Sequence, residues 1–234
     1  MKAVLLAAGF GTRLRPLTDA APKILVPLGG RTLLEHQLAY LGRAGIDEVV
    51  VNVHHHAEQV RRFLARVQAP VRVRLSDERR LLGTAGALVP LRDFLGDRFL
   101  VLYGDVVTDA DVAKLVAAHE ASGAVASLGY VPSEQTDGKG VLTIDSAGTV
   151  SGFVEKPSRS GGGLVNAGLY VLERSVLELI PDGASDFGRD VWPRALALGV
   201  PIHGHELRAY VRDIGTPEAL AAAERDLAAG RIRW

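Results

Sequence analysis

Up to residue 131, short β-branched, apolar runs alternate with amphipathic segments, and this alternation restricts the fold more than any other feature. Runs of the first kind are typical of strands, and the segments between them place apolar residues three or four positions apart, as helices do. The runs lie at 2–8, 47–53, 71–75 and 98–104, and the amphipathic segments at 32–45, 57–67, 85–95 and 109–123. The alternation predicts an α/β fold, a doubly wound sheet whose parallel strands are joined by right-handed crossovers.

From residue 132 onward the pattern changes to strands separated by short turns. Three strand-like runs follow one another at 140–145, 149–157 and 164–172, with a turn signal at 146–148. From residue 187 the chain returns to alternating helix-like and strand-like segments. The predicted sheet is therefore mixed and mainly parallel, flanked by helices. The glycine-rich loop at 158–163 is too short for a domain linker. We therefore predict one domain over residues 1–234, with halves that meet near residue 131.

Charge and composition exclude several kinds of function. Lys plus Arg and Asp plus Glu total 27 each, so the formal net charge is zero, which argues against nucleic acid as a partner. The absence of cysteine excludes thiolate catalysis and Cys-based zinc sites. No apolar run reaches the roughly 18 residues of a membrane span. The apolar start is followed at once by Arg13 and Arg15, so we interpret it as a buried strand of a cytoplasmic protein.

The loop "AAGFGTRLRP" at 7–16 follows the first predicted strand, at the sheet edge where α/β proteins bind ligands. Small residues such as Gly9 and Gly11 let backbone N–H groups approach an anion, and Arg13 adds a forked cation. A Walker loop is absent, and Leu14 stands where a dinucleotide-binding loop has its third glycine, which disfavours a nicotinamide-dependent dehydrogenase. The loop by itself fits either a tight turn or an anion site.

Six motifs in order along the chain resemble those of the sugar-1-phosphate nucleotidyltransferases. They are "LAAGFGTRLRPLT" followed by "PK" at 22–23, "LGTAGAL" at 82–88, "YGDV" at 103–106, "EKP" at 155–157, "NAG" at 166–168 and "RDIGTPE" at 212–218. The resemblance covers nearly the whole chain and implies the Rossmann-like fold of that family. Two departures are visible: Ile24 follows Lys23 where a proline is common, and a long C-terminal β-helix is missing.

The resemblance implies transfer of a nucleotidyl group from a nucleoside triphosphate to a sugar 1-phosphate, with release of pyrophosphate. Arg13 and Lys23 would neutralise the two polyanions, and Asp105, at the end of a buried strand, would act with Asp213 in holding Mg²⁺. Arg13, Lys23 and Asp105 are thus the predicted catalytic residues. The predicted nucleotide-binding residues of the first half are Leu6, Ala8, Gly9, Gly11, Thr12, Arg13, Lys23, Gly83, Thr84, Gly86 and Gly104.

The second half is expected to bind the sugar phosphate. The resemblance assigns this role to Gly140, Glu155, Lys156 and Asn166, and Pro157 biases the backbone of Lys156 towards an extended conformation. "LGTAGAL" favours GTP with a mannose-like or heptose 1-phosphate. Uridylyl or thymidylyl transfer to a glucose-type or amino-sugar 1-phosphate remains an alternative, as does a non-catalytic nucleotide-sugar sensor. A homodimer is left open.

Two further groups of residues are assigned structural roles. The three histidines at 54–56 point in different directions on a chain leaving a strand, unlike the i, i+4 pair of a helical zinc site. Trp192 and Trp234 are predicted to be packing residues.

Overall fold

The structure is a computed structural model that describes residues 1–158 and 161–233. Part of the predicted loop at 158–163 and the predicted packing residue Trp234 lie outside the described residues. The chain forms two compact units: Met1–Leu81, Leu102–Ala110 and Ala209–Trp234 make the first, and Leu82–Val101 and Asp111–Arg208 make the second. Whether the chain acts as the single domain expected over 1–234 stays a prediction.

The first unit combines parallel strands with helices on the pattern that the sequence predicted. Its elements are β1 (Lys2–Leu6), β2 (Pro27–Leu28), β3 (Arg31–Thr32), α1 (Leu33–Arg43), β4 (Glu48–Val53), α2 (Ala57–Leu64), β5 (Arg72–Asp77), β7 (Val106–Thr108), β13 (Val211–Asp213) and α6 (Pro217–Ala228). Strand β4 pairs in parallel with β1 on one side and with β5 on the other. Every residue of β4 is buried, because its central position leaves neither face open to solvent.

Local signals set the helix ends in this unit. Thr32 and Glu35 form a capping box at the start of α1: the Thr32 hydroxyl accepts from the Glu35 N–H, and the Glu35 carboxylate accepts from the Thr32 N–H. Thr216 caps α6 by accepting from the N–H of Ala219, and Pro217 occupies the first helical position. Both helix starts are set by residues within one turn of the helix end.

The second unit is dominated by antiparallel strands. Its elements are α3 (Gly83–Gly86), α4 (Val112–Ser122), β8 (Ala126–Ser133), β9 (Gly140–Ile144), β10 (Val150–Glu155), β11 (Gly163–Glu173), α5 (Trp192–Ala197) and β12 (Ile202–Glu206). Strand β6 (Arg98–Tyr103) begins in this unit and ends in the first. Strand β11 pairs antiparallel with β8 and β9, β9 pairs antiparallel with β10, and β12 pairs in parallel with β8. The predicted α/β class with a mixed sheet and flanking helices is confirmed.

One predicted helix is wrong in its extent. The amphipathic segment at 85–95 was expected to form a single helix, but α3 ends at Gly86 and only a 3-10 turn, Val89–Leu91, follows it. Pro90 explains the interruption, because it has no N–H to donate and its ring clashes with the preceding turn.

The aromatic core of the second unit is built on a π-helical turn, Phe187–Val191, that leads into α5. Trp192 is fully buried, as predicted, and stacks on Phe187 with 4.9 Å between ring centroids. Across residues 1–158 and 161–233, no helix combines the length and the apolar character that crossing a membrane requires.

Candidate functional site

The loop after β1 is held in shape by two side chains. Asn52, at the end of β4, accepts a hydrogen bond from the N–H of Ala7 at 2.6 Å through Oδ1. Thr18 donates from its hydroxyl to the carbonyl oxygen of Gly11 at 2.8 Å. Gly11 has φ +64°, and a Cβ there would lie 3.0 Å from Cγ2 of Thr18. The second glycine of the loop is therefore required by both its backbone angle and its close packing.

The loop after Ala7 carries backbone N–H groups without an acceptor in the part of the chain that the structure describes. Among the described residues, none accepts a hydrogen bond from the N–H of Ala8, Gly9 or Gly11. Apart from its chain neighbours, no heavy atom of residues 1–158 and 161–233 lies within 4 Å of the point where a Cβ of Gly9 would stand, so the space beside this residue is open. Unused N–H groups on a small-residue loop suit an anion, although binding of phosphate here stays a prediction.

Four charged side chains meet beside this loop. Nζ of Lys23 lies 2.7 Å from Oδ2 of Asp105 and 3.9 Å from Oδ1 of Asp213. Arg13 places its Nη2 3.8 Å from Oδ2 of Asp213. Lys23 is largely buried, with 13% of its side chain exposed, whereas Arg13 is 65% exposed. The structure thus brings together the three predicted catalytic residues and both predicted metal ligands.

Backbone packing explains why these residues converge. Gly104 donates its N–H to the carbonyl oxygen of Leu6 at 2.8 Å, and a Cβ on Gly104 would come within 2.7 Å of that oxygen. Only glycine permits this approach, which brings the next residue, Asp105, beside the loop. Strands β7 and β13 pair antiparallel with Asp213 opposite Val106, so the second carboxylate is delivered to the same place.

Gly215 is a site residue that the sequence motifs did not single out. A Cβ at this position would lie 2.7 Å from Nη2 of Arg13 and 2.8 Å from Oδ1 of Asp213. The guanidinium and the carboxylate therefore pack against bare backbone. The signal in the sequence was the glycine two residues after Asp213 in "RDIGTPE".

The electrostatics of the cluster are those of a carboxylate pair with two cations. About half of the Asp213 side chain is exposed (47%). Desolvation of its carboxylate by the surrounding protein nevertheless raises the pKa of Asp213, and the negative charge of Asp105 raises it further. Lys23 and Arg13 act in the opposite direction on this pKa. A cation bound between two neighbouring carboxylates relieves their mutual repulsion, which favours cation binding at this place.

The donor set fits Mg²⁺ on chemical grounds. Mg²⁺ prefers oxygen ligands and is commonly held by one or two carboxylates together with substrate phosphates. Asp105 and Asp213 supply such a pair next to the loop with unused N–H groups. In the part of the chain that the structure describes, no group of three or more His, Asp or Glu side chains is arranged to hold a metal ion. The pair would need substrate oxygens to complete the coordination.

In the second unit, the glycines of "LGTAG" are packed against the segment at 183–187. Gly83 has φ +78°, and a Cβ there would overlap the carbonyl oxygen of Ser185. That oxygen accepts from the N–H groups of Ala85 and Gly86 at 2.9 and 3.1 Å. A Cβ on Gly86 would lie 2.8 Å from the carbonyl oxygen of Gly183. Packing therefore gives these glycines a structural reason in addition to the predicted nucleotide contact.

Thr84 has a fastening of its own. Its N–H and hydroxyl both donate to Oδ1 of Asp186, at 3.1 and 3.2 Å, and the hydroxyl also accepts from the N–H of Phe187 at 3.0 Å. The motif is thereby joined to the π-helical turn. Asp186 is a second residue that the sequence motifs did not single out.

Glu155 ends β10 directly opposite Gly140 of β9. Its Oε2 lies 3.0 Å from the point where a Cβ of Gly140 would stand and would overlap a Cβ on Gly188. Burial raises the pKa of Glu155, Lys156 and Arg189 lower it, and Asp186 raises it. A carboxylate set between two glycines presents its oxygens at a close approach to the backbone, where a polyhydroxylated ligand could be bound.

The backbone of Lys156 differs from its prediction. Its φ is +54°, in the left-handed region, and not extended as Pro157 led us to expect. The reason is tertiary: the N–H of Lys156 donates to the carbonyl oxygen of Lys139 at 3.0 Å, and this bond outweighs the local preference.

Asn166 is tied into its own strand. Its Nδ2 donates to the hydroxyl of Tyr170 at 2.7 Å, and its Oδ1 accepts from the N–H of Gly168 at 3.2 Å. Its predicted hydrogen bond to a sugar hydroxyl, like the ligand contacts predicted for Leu6, Thr12, Gly140 and Lys156, stays a prediction.

The histidines at 54–56 make internal contacts. Nδ1 of His54 lies 2.7 Å from the carbonyl oxygen of Glu78. The ring centroids of His55 and His56 are 3.8 Å apart, and His56 has φ 57° at the start of α2.

The chain is similar to named nucleotidyltransferases. Residues 2–230 match the family model described as Nucleotidyl transferase. A protein named probable mannose-1-phosphate guanylyltransferase 2 of Arabidopsis thaliana is 36% identical over 227 residues, covering 93% of this chain and 62% of its own. A protein named UTP–glucose-1-phosphate uridylyltransferase of Synechocystis sp. is 34% identical over 233 residues, covering 92% and 60% respectively. The chain thus spans about three fifths of the length of these relatives.

A solved structure is similar over almost the whole chain. The crystal structure of HddC from Yersinia pseudotuberculosis complexed with GMP-PN has a TM-score of 0.82 and 26% sequence identity, and the match covers 97% of this chain and 99% of that one.

Proposed function

This chain belongs to the nucleotidyl transferase family, as its motifs indicated, and we propose that it transfers a nucleoside monophosphate from a nucleoside triphosphate to a sugar 1-phosphate, releasing pyrophosphate. The nucleoside triphosphate is GTP and the acceptor is a mannose-like or heptose 1-phosphate. The reaction takes place in the cytoplasm, where nucleoside triphosphates are made and used. Its partners are the two substrates, and a homodimer stays a prediction.

The observation that carries the proposal is the cluster of Arg13, Lys23, Asp105 and Asp213 beside a loop with unused N–H groups. The reaction requires two polyanions to meet. Each pair of like charges about 4 Å apart costs roughly 4 kcal/mol at an effective dielectric constant of 20. Fixed cations and N–H donors at the meeting point offset that repulsion without having to reorganise during the reaction.

Each side chain of the cluster has a distinct task. The loop N–H groups and Arg13 bind the outer phosphates, and the forked guanidinium stabilises negative charge that grows on the departing pyrophosphate. Lys23, largely buried and held at 2.7 Å from Asp105, places a compact charge near the α-phosphate. Asp105 and Asp213 would hold Mg²⁺, which supplies charge neutralisation and orients phosphate oxygens when bound. None of these tasks needs a covalent enzyme intermediate, since positioning and charge supply the catalysis.

The residues proposed to bind the sugar phosphate lie in the second unit. Glu155 accepts hydrogen bonds from sugar hydroxyls, and its partly desolvated carboxylate is a strong acceptor as long as it is ionised. Lys156 contributes a cation for the sugar phosphate, while the backbone at Gly140 and the amide of Asn166 complete the contacts. The left-handed backbone of Lys156 turns the chain at the end of β10, next to Glu155.

The choice of GTP is supported by a relative named as a mannose-1-phosphate guanylyltransferase and by a similar structure that binds GMP-PN. The relative named as a uridylyltransferase supports a different pair, UTP with a glucose-type sugar 1-phosphate. Thymidylyl transfer and a non-catalytic nucleotide-sugar sensor are two more candidate functions. These relatives are longer than this chain, so substrate choice must be measured on the chain itself.

The test is pyrophosphate release from GTP, UTP and dTTP against mannose, heptose and glucose 1-phosphates, with Mg²⁺ and with EDTA. We expect release with GTP and one of the first two sugars, only with Mg²⁺. Asp105→Asn should abolish it, whereas Asp111→Asn, a matched change at the cap of α4, should retain it because asparagine also caps helices. Full turnover in EDTA or by Asp105→Asn would contradict the metal role, and nucleotide binding without turnover for every pair would favour the sensor.

A further inference from the structure

A buried series of hydrogen bonds links the phosphate loop to a carboxylate that has no role in the proposed mechanism. Oδ1 of Asn52 accepts from the N–H of Ala7 at 2.6 Å, and Nδ2 of Asn52 donates to Oε1 of Glu78 at 2.7 Å. Asn52 is 3% exposed and Glu78 is 7% exposed. Buried polar groups in folded proteins are nearly always hydrogen-bonded, so this series of hydrogen bonds is part of the core structure of the first unit.

Asn52 stands where the parallel ladder between β1 and β4 ends. The last paired residues are Leu6 and Asn52, and the next N–H, that of Ala7, binds the Asn52 side chain. A side-chain acceptor at this point takes the place of a strand carbonyl, so the chain leaves the sheet after Ala7. The following N–H groups, of Ala8 and Gly9, have no acceptor among the described residues. The side chain of Asn52 thus decides where pairing stops and where free donors begin.

Glu78 sets the orientation of the Asn52 amide. An ionised carboxylate only accepts hydrogen bonds, so the NH₂ group of Asn52 must face Glu78 and its oxygen must face Ala7. A charged acceptor also makes the stronger hydrogen bond. Glu78 is itself placed by its N–H, which donates to the carbonyl oxygen of Val53 at 2.8 Å. His54 lies against the Glu78 backbone, with Nδ1 2.7 Å from its carbonyl oxygen.

We propose that Asn52 is the positioning residue of the phosphate loop and that Glu78 fixes the direction of its amide. The pair aims the N–H groups of Ala8, Gly9 and Gly11 at the triphosphate without touching it. This inference rests on the proposed function, because it concerns the nucleotide side of the same site. It implies that the Michaelis constant for the triphosphate depends on the hydrogen-bond polarity of residue 52, whereas that for the sugar phosphate does not.

The test uses the isosteric change Asn52→Asp. When ionised, the introduced carboxylate has no proton to give Glu78, so two carboxylates face each other in a buried place. When protonated, the carbonyl oxygen of the introduced group again accepts from Ala7 and its O–H again donates to Glu78. His54 is a titratable side chain next to this pair. We expect the Michaelis constant for GTP to rise about tenfold or more at pH 8 and to recover as the pH falls.

The double variant Asn52→Asp with Glu78→Gln is the decisive control. The amide introduced at position 78 can donate to one oxygen of the carboxylate introduced at position 52, while the other oxygen accepts from Ala7. The hydrogen bond between residues 52 and 78 then has its donor at position 78 instead of 52, and both side chains keep a partner. We expect this variant to regain a GTP Michaelis constant within about threefold of wild type at pH 8, without the pH dependence. Circular dichroism of each variant separates misfolding from misplacement, and GTP binding by calorimetry gives a readout independent of turnover.

The outcomes distinguish this inference from the proposed function. If the wild type releases no pyrophosphate with any substrate pair, the proposed function is contradicted. Calorimetry of GTP binding then still tests whether Asn52 positions the phosphate loop. A folded Asn52→Asp variant with the same pH profile as the wild type overturns the inference. So does an equal rise in the Michaelis constants of GTP and sugar phosphate, or a double variant that binds GTP no better than the single one.

Discussion

Replacing Lys23 by methionine removes the charge that joins the two carboxylates and retains most of the side-chain volume. Nζ of Lys23 is 2.7 Å from Asp105 and 3.9 Å from Asp213. Without the ammonium, these carboxylates repel each other, and Arg13 remains as a cation 3.8 Å from Asp213. We expect Lys23→Met to lower the free energy of unfolding and to strengthen the binding of Mg²⁺ in the absence of nucleotide.

The size of the effect follows from the distances and the exposure. At an effective dielectric constant of about 20, the attractions at 2.7 and 3.9 Å amount to about 6 and 4 kcal/mol before desolvation. Breaking a fully buried pair costs about 3–5 kcal/mol, and breaking an exposed pair about 0–1 kcal/mol. The side chains of Lys23 and Asp105 are 13% and 32% exposed, between these limits. We therefore expect a loss of about 2 kcal/mol, or about 4–8 °C in Tm for a chain of this size.

The assay is thermal unfolding of wild type and variant in EDTA and in millimolar Mg²⁺. The ammonium competes with the metal for the same oxygens, so Mg²⁺ should raise the Tm of Lys23→Met more than that of the wild type. Lys114→Met is the matched control, since Lys114 is 78% exposed and lies 3.4 Å from Asp111, an exposed pair. Its Tm should change little, and its response to Mg²⁺ should equal that of the wild type.

Equal melting temperatures of wild type and Lys23→Met in EDTA would refute the reasoning on stability. Equal shifts with Mg²⁺ would refute the competition for the carboxylates. Pyrophosphate release by the same variant should fall about a hundredfold or more, the usual scale for losing one charge-stabilising donor.

Two further predictions concern the second unit. Gly83→Ala should lower the free energy of unfolding by about 2–3 kcal/mol, since it adds a clash with the Ser185 carbonyl to the left-handed backbone. The control is Gly123→Ala, since Gly123 has φ +62° and open space around it, and it should cost only about 1 kcal/mol. Urea titration of both variants measures these losses, and equal losses would contradict a clash with the Ser185 carbonyl. Because burial raises the pKa of Glu155, its carboxylate is protonated at a higher pH than an ordinary glutamate. The Michaelis constant for the sugar phosphate should therefore rise as the pH falls through the raised pKa of Glu155. Glu155→Gln should remove this rise at low pH. A rise that persists in Glu155→Gln would come from another titrating group.

The sequence determined those features of the chain that depend on near neighbours. The strand β4 was predicted, because it rests on a continuous apolar run along the chain. The capping box at Thr32 and the N-cap at Thr216 likewise depend only on residues within one turn. The family motifs marked Lys23, Asp105 and Asp213 as residues of one site, although no local pattern relates residues so far apart.

Where local preferences competed with contacts from elsewhere, the prediction was wrong. The expected extended backbone at Lys156 gave way to a hydrogen bond with the carbonyl oxygen of Lys139. The helix expected over 85–95 stopped at Gly86, where our periodicity argument gave too little weight to Pro90. Periodicity describes one face of an element and does not report which partner its backbone will meet.

Only the tertiary structure decided which backbone donors stay free and which charges meet. Strand register places Asp213 opposite Val106 and the Asn52 side chain against Ala7, and the bare backbone of Gly215 lets Arg13 and Asp213 pack together. The sequence carries the residue types for these contacts, but a contact between distant residues depends on how the sheet is paired. The residues of the candidate site could therefore be named from the motifs, and their geometry came from the packing of strands that are remote in sequence.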